Sequence, residues 1–497
     1  MPKDFFTVQG TTSLHTLKPS SKIHVIGVCG VAMAQISIAL AERGFAVSGS
    51  DKEFYEPMKS LLGSSKVITK TGYAGEHVPL DAELVVIGNS ISYGNPEVDV
   101  VEKHELPYTC FPKILQEVAI AGKHSIVVTG THGKSTTTAL IATILLESGK
   151  DPSYFVGGVA QGLPTSLAVG TGGFSVVEGD EYDSAFFAKV PKFFFYTPDT
   201  VVVNAIEYDH ADIYANVEAI EAEFTKLVVG LHKGGTAICC IDFPRVKRLV
   251  AEWKKSAECS IVTFGRDPEA DYVITERESI GMSQRVTVRG PGAAALILSL
   301  PIVGEYNARN ALAALIVSQT IGLETKRTLE ILGSFQSVKR RQELRAQKGG
   351  VVLIEDFAHH PTAVRQTVEA VREAFPKARL WAVFEPRSNT SRRKVFQDEY
   401  VSAFRNADRV VLKNVTARTI DAGLELIDVG TLSDEISASG VPSRCLADVQ
   451  AIRDYIWSEV KPERSASNVQ DVVFVMSNGS FDRLNELLQE DLERACS

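Results

Sequence analysis

Residues Ser125–Thr138 read S-I-V-V-T-G-T-H-G-K-S-T-T-T, and this stretch constrains the fold and chemistry of the chain more than any other. A β-branched run, Ile126–Val128, stops at Gly130; Gly133, Lys134 and the hydroxyls Ser135–Thr138 then open an apolar-periodic segment. The pattern predicts a buried strand, a tight turn and a helix N-terminus, which together aim backbone N–H groups and a positive helix end at phosphate. Lys134 would reach the terminal phosphates, and Ser135 or Thr136 would offer a hydroxyl to a divalent cation. The usual loop of this kind is G-x-x-x-x-G-K-[ST]. Here Val128 stands where its first glycine belongs, which leaves the shorter form T-G-T-x-G-K-[ST].

A chain of 497 residues exceeds one comfortable core, and strands alternate with helices along all of it. Three blocks emerge behind a segment 1–21. The block 22–121 opens on the strand Lys22–Gly27 and continues with Phe45–Ser50 and Leu84–Gly88. The block 122–337 carries the phosphate loop, strands at Phe174–Glu178, Thr200–Asn204 and Thr236–Cys240, and short β-strands between about 258 and 303. The block 338–497 has strands at Val351–Glu355, Arg379–Phe384, Arg409–Leu412 and Val472–Met476. Lys461–Val469 reads as a polar surface loop. A net charge of −9 argues against nonspecific nucleic-acid binding, which needs a basic surface. Seven scattered cysteines form no C-x-x-C pair and suggest free thiols in a reducing compartment. With no signal-peptide pattern and no apolar run of about 18 residues, the expectation is a cytoplasmic protein without membrane contact.

Candidate site residues fall at strand ends, where open α/β sheets bind ligands. In the first block, Gly27-Val28-Cys29-Gly30 follows a strand and opens a helix, and Asp51 ends the next strand where a carboxylate can hold a ribose hydroxyl. Cys29 and Ala32 depart from the dinucleotide spacing G-x-G-x-x-G, so these glycines indicate a phosphate-bearing ligand or plain packing. In the second block, Glu178-Gly179-Asp180-Glu181-Tyr182-Asp183 puts four carboxylates at a strand end, suited to a divalent cation or to solvent. His210, on the next such loop, is a candidate metal or phosphate contact. Asn307 and Asn310 begin a helix as caps or as contacts to an adenine edge. In the third block, Arg341, Asp356, His359 and His360 precede or end a strand, and Glu385-Pro386-Arg387-Ser388-Asn389-Thr390 ends another. Arg387 there can grip a carboxylate.

The stretches T-G-T-H-G-K-S-T, E-Y-D-H-A-D-I-Y, G-E-Y-N-A-R-N-A-L-A-A and D-F-A-H-H-P-T-A, in this order, resemble the Mur ligase family of ATP-dependent amide-bond-forming enzymes of peptidoglycan assembly. The resemblance runs from about Lys22 to Leu488 and gives residues 1–21 no role. It implies an α/β fold of three domains: an N-terminal Rossmann-like UDP-binding domain, a central P-loop ATPase-type domain and a C-terminal Rossmann-like domain for the amine substrate. It implies ATP and Mg²⁺, with Gly130, Thr131, His132, Gly133, Lys134, Ser135 and Thr136 on the phosphates. Ser135, Glu178 and His210 would hold metal. Asn307, Asn310, Arg341 and Asp356 would contact adenosine or its phosphates. Gly27, Gly30, Asp51, Asn89 and Ser90 would hold the UDP portion, and His359, His360, Arg387 and Asn389 would face the amine, with His360 a candidate proton acceptor. No position suits the carbamylated lysine of some branches. G-D-E-Y-D-S-A-F-F-A-K, E-P-R-S-N-T and V-M-S-N-G-S-F point to the branch joining UDP-N-acetylmuramate to the tripeptide L-Ala-γ-D-Glu-meso-diaminopimelate in recycling, with free L-alanine the alternative amine. The protein would be a monomer or a weak homo-oligomer. Two rivals rest on fewer residues. A nucleotide-cofactor dehydrogenase built on Gly27, Gly30 and Asp51 leaves Lys134 unexplained, and a non-catalytic ATP-binding module leaves the strand-end carboxylates unexplained.

Overall fold

The computed structural model describes residues 5–211, 213–292, 294–415, 425–463 and 468–496. Asp212 of E-Y-D-H-A-D-I-Y and residues 464–467 of the polar loop lie outside these. The chain divides into two compact units. The first comprises Met1–Glu207, Val217–Phe264 and Ala313–Ile331; the second comprises Tyr208–Asn216, Gly265–Leu312 and Leu332–Ser497.

Among the described residues, the first unit holds two larger sheets and the two-stranded hairpin Asp183–Ala185/Ala188–Pro191. One is wholly parallel, in the order Ile68–Thr71, Ala46–Asp51, Lys22–Ile26, Leu84–Ile87, Tyr108–Cys110. Its order reverses between Lys22–Ile26 and Leu84–Ile87, so the crevice for a ligand opens after Gly27 and Gly88. The other runs Ser260–Gly265, Thr236–Cys240, Thr200–Val203, His124–Thr129, Phe174–Gly179, Ser153–Phe155, Leu167–Ala168, parallel except for its last pair. The strand His124–Thr129 is buried from Ser125 onward, as its β-branched run requires. Val128 pairs with Glu178, and Thr129 pairs with Val203. The ends of the two neighbouring strands therefore flank the turn that begins at Gly130.

In the second unit, Tyr272–Ile280, Ser283–Arg289 and Leu296–Leu300 form an antiparallel ladder. The third sheet runs Glu343–Lys348, Val351–Asp356, Asp471–Met476, Arg379–Phe384, Arg409–Lys413, Ser443–Leu446, parallel apart from its first strand. Its central strands are buried on both faces, so alternate residues enter opposite cores. Val352, Ile354, Leu380, Phe384, Val472 and Phe474 pack with the helices Pro361–Ala374 and Val429–Ala438. Val351, Leu353, Trp381, Val383, Val473 and Val475 pack with Val449–Glu459 and Leu484–Ala495. At about 1.5–3 kcal/mol for each fully buried large aliphatic side chain, these two layers dominate the stability of the sheet. Among the described residues, no helix is long and apolar enough to cross a membrane.

Candidate active site

The turn between His124–Thr129 and the helix Lys134–Glu147 takes a shape that only its glycines permit. Gly130 has φ +119°, and a Cβ there would lie 2.8 Å from both the nitrogen and the oxygen of Ala205. Gly133 is left-handed at φ +82° and stands just before the helix. Among the side chains of this helix, Lys134 folds back over the turn. Its ammonium donates to the Gly130 carbonyl at 2.8 Å and to the Glu181 carboxylate at 2.9 Å, with Asp180 3.9 Å away. Burial alone would lower the Lys134 pKa; Glu181 and Asp180 outweigh it and hold the ammonium firmly charged.

The Ser135 hydroxyl donates to Glu178 at 3.1 Å, and the Gly157 N–H donates to the same carboxylate. Burial, then the neighbouring Asp180, raise the Glu178 carboxyl above its ordinary range. Asp180 is itself held low: Lys192, at 2.8 Å, and Lys134 overcome the opposing effect of burial. Ser135 and Glu178 thus offer two hard oxygen donors side by side, a donor set that fits Mg²⁺. The adjacent strand braces the turn. Thr131 receives the Glu207 N–H on its hydroxyl at 2.9 Å, the Asn204 amide donates to Thr137 at 3.1 Å, and His132 pairs with Glu207 at 2.7 Å. The Thr136 side chain is buried in the first turn of the helix.

In the first sheet, Gly27 turns at φ +86° and its N–H donates to the Ser50 carbonyl. Gly30 caps the helix Val31–Glu42. Asp51 accepts the Cys29 N–H at 2.7 Å on one oxygen, and the Lys52 N–H and the Tyr73 hydroxyl on the other. It therefore shapes the 27–30 turn from beneath. Asn89 and Ser90 are exposed beyond the neighbouring strand.

In the second unit, His210 is left-handed at φ +53° and donates its N–H to Asp209 at 2.7 Å. Thr390 donates to the same oxygen of Asp209 at 2.6 Å. Burial pushes the Asp209 carboxyl up, but His210, His359 and His360 together hold it well below the usual range. His360 caps the helix Pro361–Ala374: its Nδ1 accepts the Thr362 N–H at 3.3 Å, and its Nε2 donates to the Tyr208 carbonyl at 3.2 Å. Because a carbonyl only accepts, Nε2 carries the proton. His359 is partly buried, with Nδ1 3.1 Å from the Phe357 carbonyl. Arg387 and Asn389 are exposed on their loop, with Arg387 reaching Ser480 at 3.5 Å.

Asn307 and Asn310 are buried within the helix Glu305–Thr320. Asn307 donates to the Val303 carbonyl at 2.8 Å, and Asn310 donates to Asn307 at 3.3 Å. Asp356 accepts the N–H groups of Gln342 at 2.8 Å and Ala358 at 2.7 Å, while Arg341 stacks over Phe357, 4.8 Å from the ring centre. Burial raises the Asp356 carboxyl, against the pull of Arg341. Sequence reasoning singled out neither Glu181 nor Glu207 as a working residue. The signal for Glu181 was present, a run of acids directly after a buried strand; nothing local marks Glu207 as the partner of His132.

Three family descriptions match successive parts of the chain: "Mur ligase family, catalytic domain" over 22–123, "Mur ligase middle domain" over 128–318, and "Mur ligase, glutamate ligase domain" over 340–479. The UDP-N-acetylmuramate–L-alanyl-γ-D-glutamyl-meso-2,6-diaminoheptandioate ligase of Escherichia coli K12 is 32% identical over 95% of this chain and 98% of its own. The UDP-N-acetylmuramate–L-alanine ligase of Salinibacter ruber is 34% identical over 95% of both chains. A crystal structure of a murein peptide ligase from Psychrobacter arcticus 273-4 superposes with a TM-score of 0.69 at 29% identity, over 95% of this chain and 98% of that one. With a phosphate turn of this geometry and relatives of this extent, the chain is a ligase and belongs to the Mur ligase family.

Proposed function

We propose that the protein joins the muramoyl carboxylate of UDP-N-acetylmuramate to the amine of L-Ala-γ-D-Glu-meso-diaminopimelate, with ATP consumed and an acyl phosphate as intermediate. The observation that carries this reading is Lys134, charged and aimed across a glycine turn beside Ser135 and Glu178. Two anions, the substrate carboxylate and the terminal phosphate, must approach within bonding distance, and preorganised cations offset their repulsion. In this reading the N–H groups of Gly130–Gly133, with Thr131, His132, Lys134, Ser135 and Thr136, bind the phosphates. Glu181 holds the Lys134 ammonium in place until phosphate replaces it. Ser135 and Glu178 would hold Mg²⁺, which when bound neutralises charge developing on the transferred phosphoryl group, and His210 is a separate candidate metal contact in the second unit.

Asn307, Asn310, Arg341 and Asp356 bind the adenosine part, and Gly27, Gly30, Asp51, Asn89 and Ser90 bind the UDP part. Arg387 and Asn389 take a carboxylate of the incoming peptide. An imidazole of the 359–360 pair accepts the proton released by the attacking amine. His360 spends both ring nitrogens on backbone groups, so in that role it must give one of them up. The domains proposed are 22–121, 122–337 and 338–497. In this reading the enzyme works in the cytoplasm, as a monomer or weak homo-oligomer, on small molecules.

A second reading has its own support: the Salinibacter relative, 34% identical, is named as an L-alanine ligase. One assay separates the two. Purified protein is given UDP-N-acetylmuramate, Mg²⁺ and ATP with either the tripeptide or L-alanine, and products are read by mass alongside ADP. The tripeptide adduct with matching ADP is expected. An adduct with L-alanine alone transfers the assignment to the second reading, and no ADP with either amine sinks both.

A further inference from the structure

The family descriptions begin at residue 22, yet the segment before it is built into the first unit. Phe6 is 4% exposed and, besides its neighbour Phe5, touches the rings of Tyr93 at 6.0 Å, Tyr108 at 4.9 Å, Phe186 at 5.2 Å and Phe187 at 5.9 Å between centroids. Tyr93 and Phe186 also meet each other at 4.4 Å. Polar contacts fix the segment along its length. The Tyr108 hydroxyl accepts the Thr7 N–H at 2.6 Å and donates to the Phe5 carbonyl at 2.8 Å; the Thr12 N–H donates to the Tyr108 carbonyl at 2.7 Å. Lys113 donates to the Thr11 hydroxyl at 2.9 Å, and Glu117 accepts the Leu14 N–H at 2.6 Å. A side chain at Gly10 would collide with the Tyr108 hydroxyl, 2.5 Å from its Cβ.

Of the rings that Phe6 joins, Tyr108 lies on the last strand of the first sheet and Tyr93 on a loop of that sheet, while Phe186 and Phe187 lie on the turn of a separate hairpin. Tyr93 lies three residues after Ser90, on the loop proposed above to hold the UDP substrate. Phe186 and Phe187 form the turn of the hairpin Asp183–Ala185/Ala188–Pro191, which follows directly from Glu178, Asp180 and Glu181. Asp180 is tied to the far end of that hairpin by its bond to Lys192. We infer that Phe6 is a positioning residue: the 5–14 segment clamps the substrate loop to the hairpin of the acidic turn, so that the carboxylate to be activated meets the terminal phosphate in register. The inference rests on the ligase reading for its chemistry and on the aromatic cluster for its geometry.

Such a clamp acts on the encounter of two bound groups rather than on either binding step. Small misplacements of bound reactants cost about 10- to 100-fold in rate. Full-length Phe6→Ala and Phe6→Leu are compared with wild type by ADP release, at a temperature where circular dichroism shows all three folded, and by hydrogen exchange of residues 183–191 without ligand. In Phe6→Ala, kcat is expected to fall by at least about 10-fold, with KM for ATP and for UDP-N-acetylmuramate changed less than about 2-fold, and the hairpin amides to exchange faster. Phe6→Leu, which refills most of the volume, is expected to recover most of both. Unchanged kcat, or a fall that tracks only the loss of folded protein, overturns the clamp. If wild type makes no ADP, the ligase reading has failed, and the exchange rates still decide whether Phe6 holds the hairpin; unchanged exchange overturns that as well.

Discussion

Gly130 and Lys134 impose opposite demands on one turn, and both can be tested singly. Gly130 must have no side chain, because a Cβ would press on the Ala205 backbone at 2.8 Å in a conformation that L-residues rarely adopt. Gly130→Ala is expected to cost about 1–3 kcal/mol of stability in urea unfolding, and to weaken ATP binding with it. Lys134 must keep its charge in a largely enclosed place, and two carboxylates ensure that it does. Lys134→Met is expected to lower kcat by about 10²–10³-fold, the usual loss for one preorganised contact to transition-state charge. Near-normal ADP release by that variant would remove Lys134 from the chemistry. Its partner was harder to read than the lysine itself. A glycine-lysine-serine run is local, whereas the Glu181 contact spans 47 positions and exists only once two strands lie side by side. Asp51 makes the same point: its place at a strand end is legible from the chain, but its bond to the Cys29 N–H depends on how the 27–30 turn closes.

Elements were largely legible because their signals are periodic and local. The runs at Thr236–Cys240 and Arg379–Phe384 are strands with the bounds their patterns suggest. His360-Pro361-Thr362 carries a helix-start signal, with proline at the first helical position, beside its reading as a substrate loop. The structure puts the imidazole to use as the cap. Packing between elements needed coordinates. Arg277 on the strand Tyr272–Ile280 grips Glu373 on the helix Pro361–Ala374 with two bonds of 2.7 and 2.6 Å, and Ser279 adds a third at 3.1 Å. Burial raises the Glu373 carboxyl, and Arg277 more than reverses that, leaving it below its ordinary value. A carboxyl depressed in the folded state contributes stability above its unfolded pKa, about 4.3, and loses it as pH falls toward the folded value. Glu373→Gln is therefore expected to be less stable than wild type by about 0.5–1 kcal/mol at pH 7, with the gap closing below about pH 4. Urea midpoints measured across that range check it; a gap that stays constant with pH would mean the carboxylate's charge is not what holds the helix to the strand.

For the whole molecule, ligand binding and stability are linked, since anything bound only to the folded state stabilises it. ATP with Mg²⁺ at about 100 times its Kd is expected to add about 2.7 kcal/mol and raise the melting temperature of wild type, but not that of Lys134→Met. Equal shifts in the two proteins would place the nucleotide elsewhere. At this scale the sequence by itself determined the α/β class, the strand–turn–helix around Gly130 and the family, because hydrophobic period, glycine placement and motif order are written in neighbouring residues. Only the tertiary structure decided which acids hold Lys134, that Asp51 shapes a turn, that the His360 imidazole meets the Tyr208 carbonyl, and that Phe6 touches both a loop and a hairpin. Each of those depends on groups tens to more than a hundred positions apart, such as the 101 between Thr7 and Tyr108. Such pairs meet only after strand order and register have been set, and no local pattern encodes the meeting.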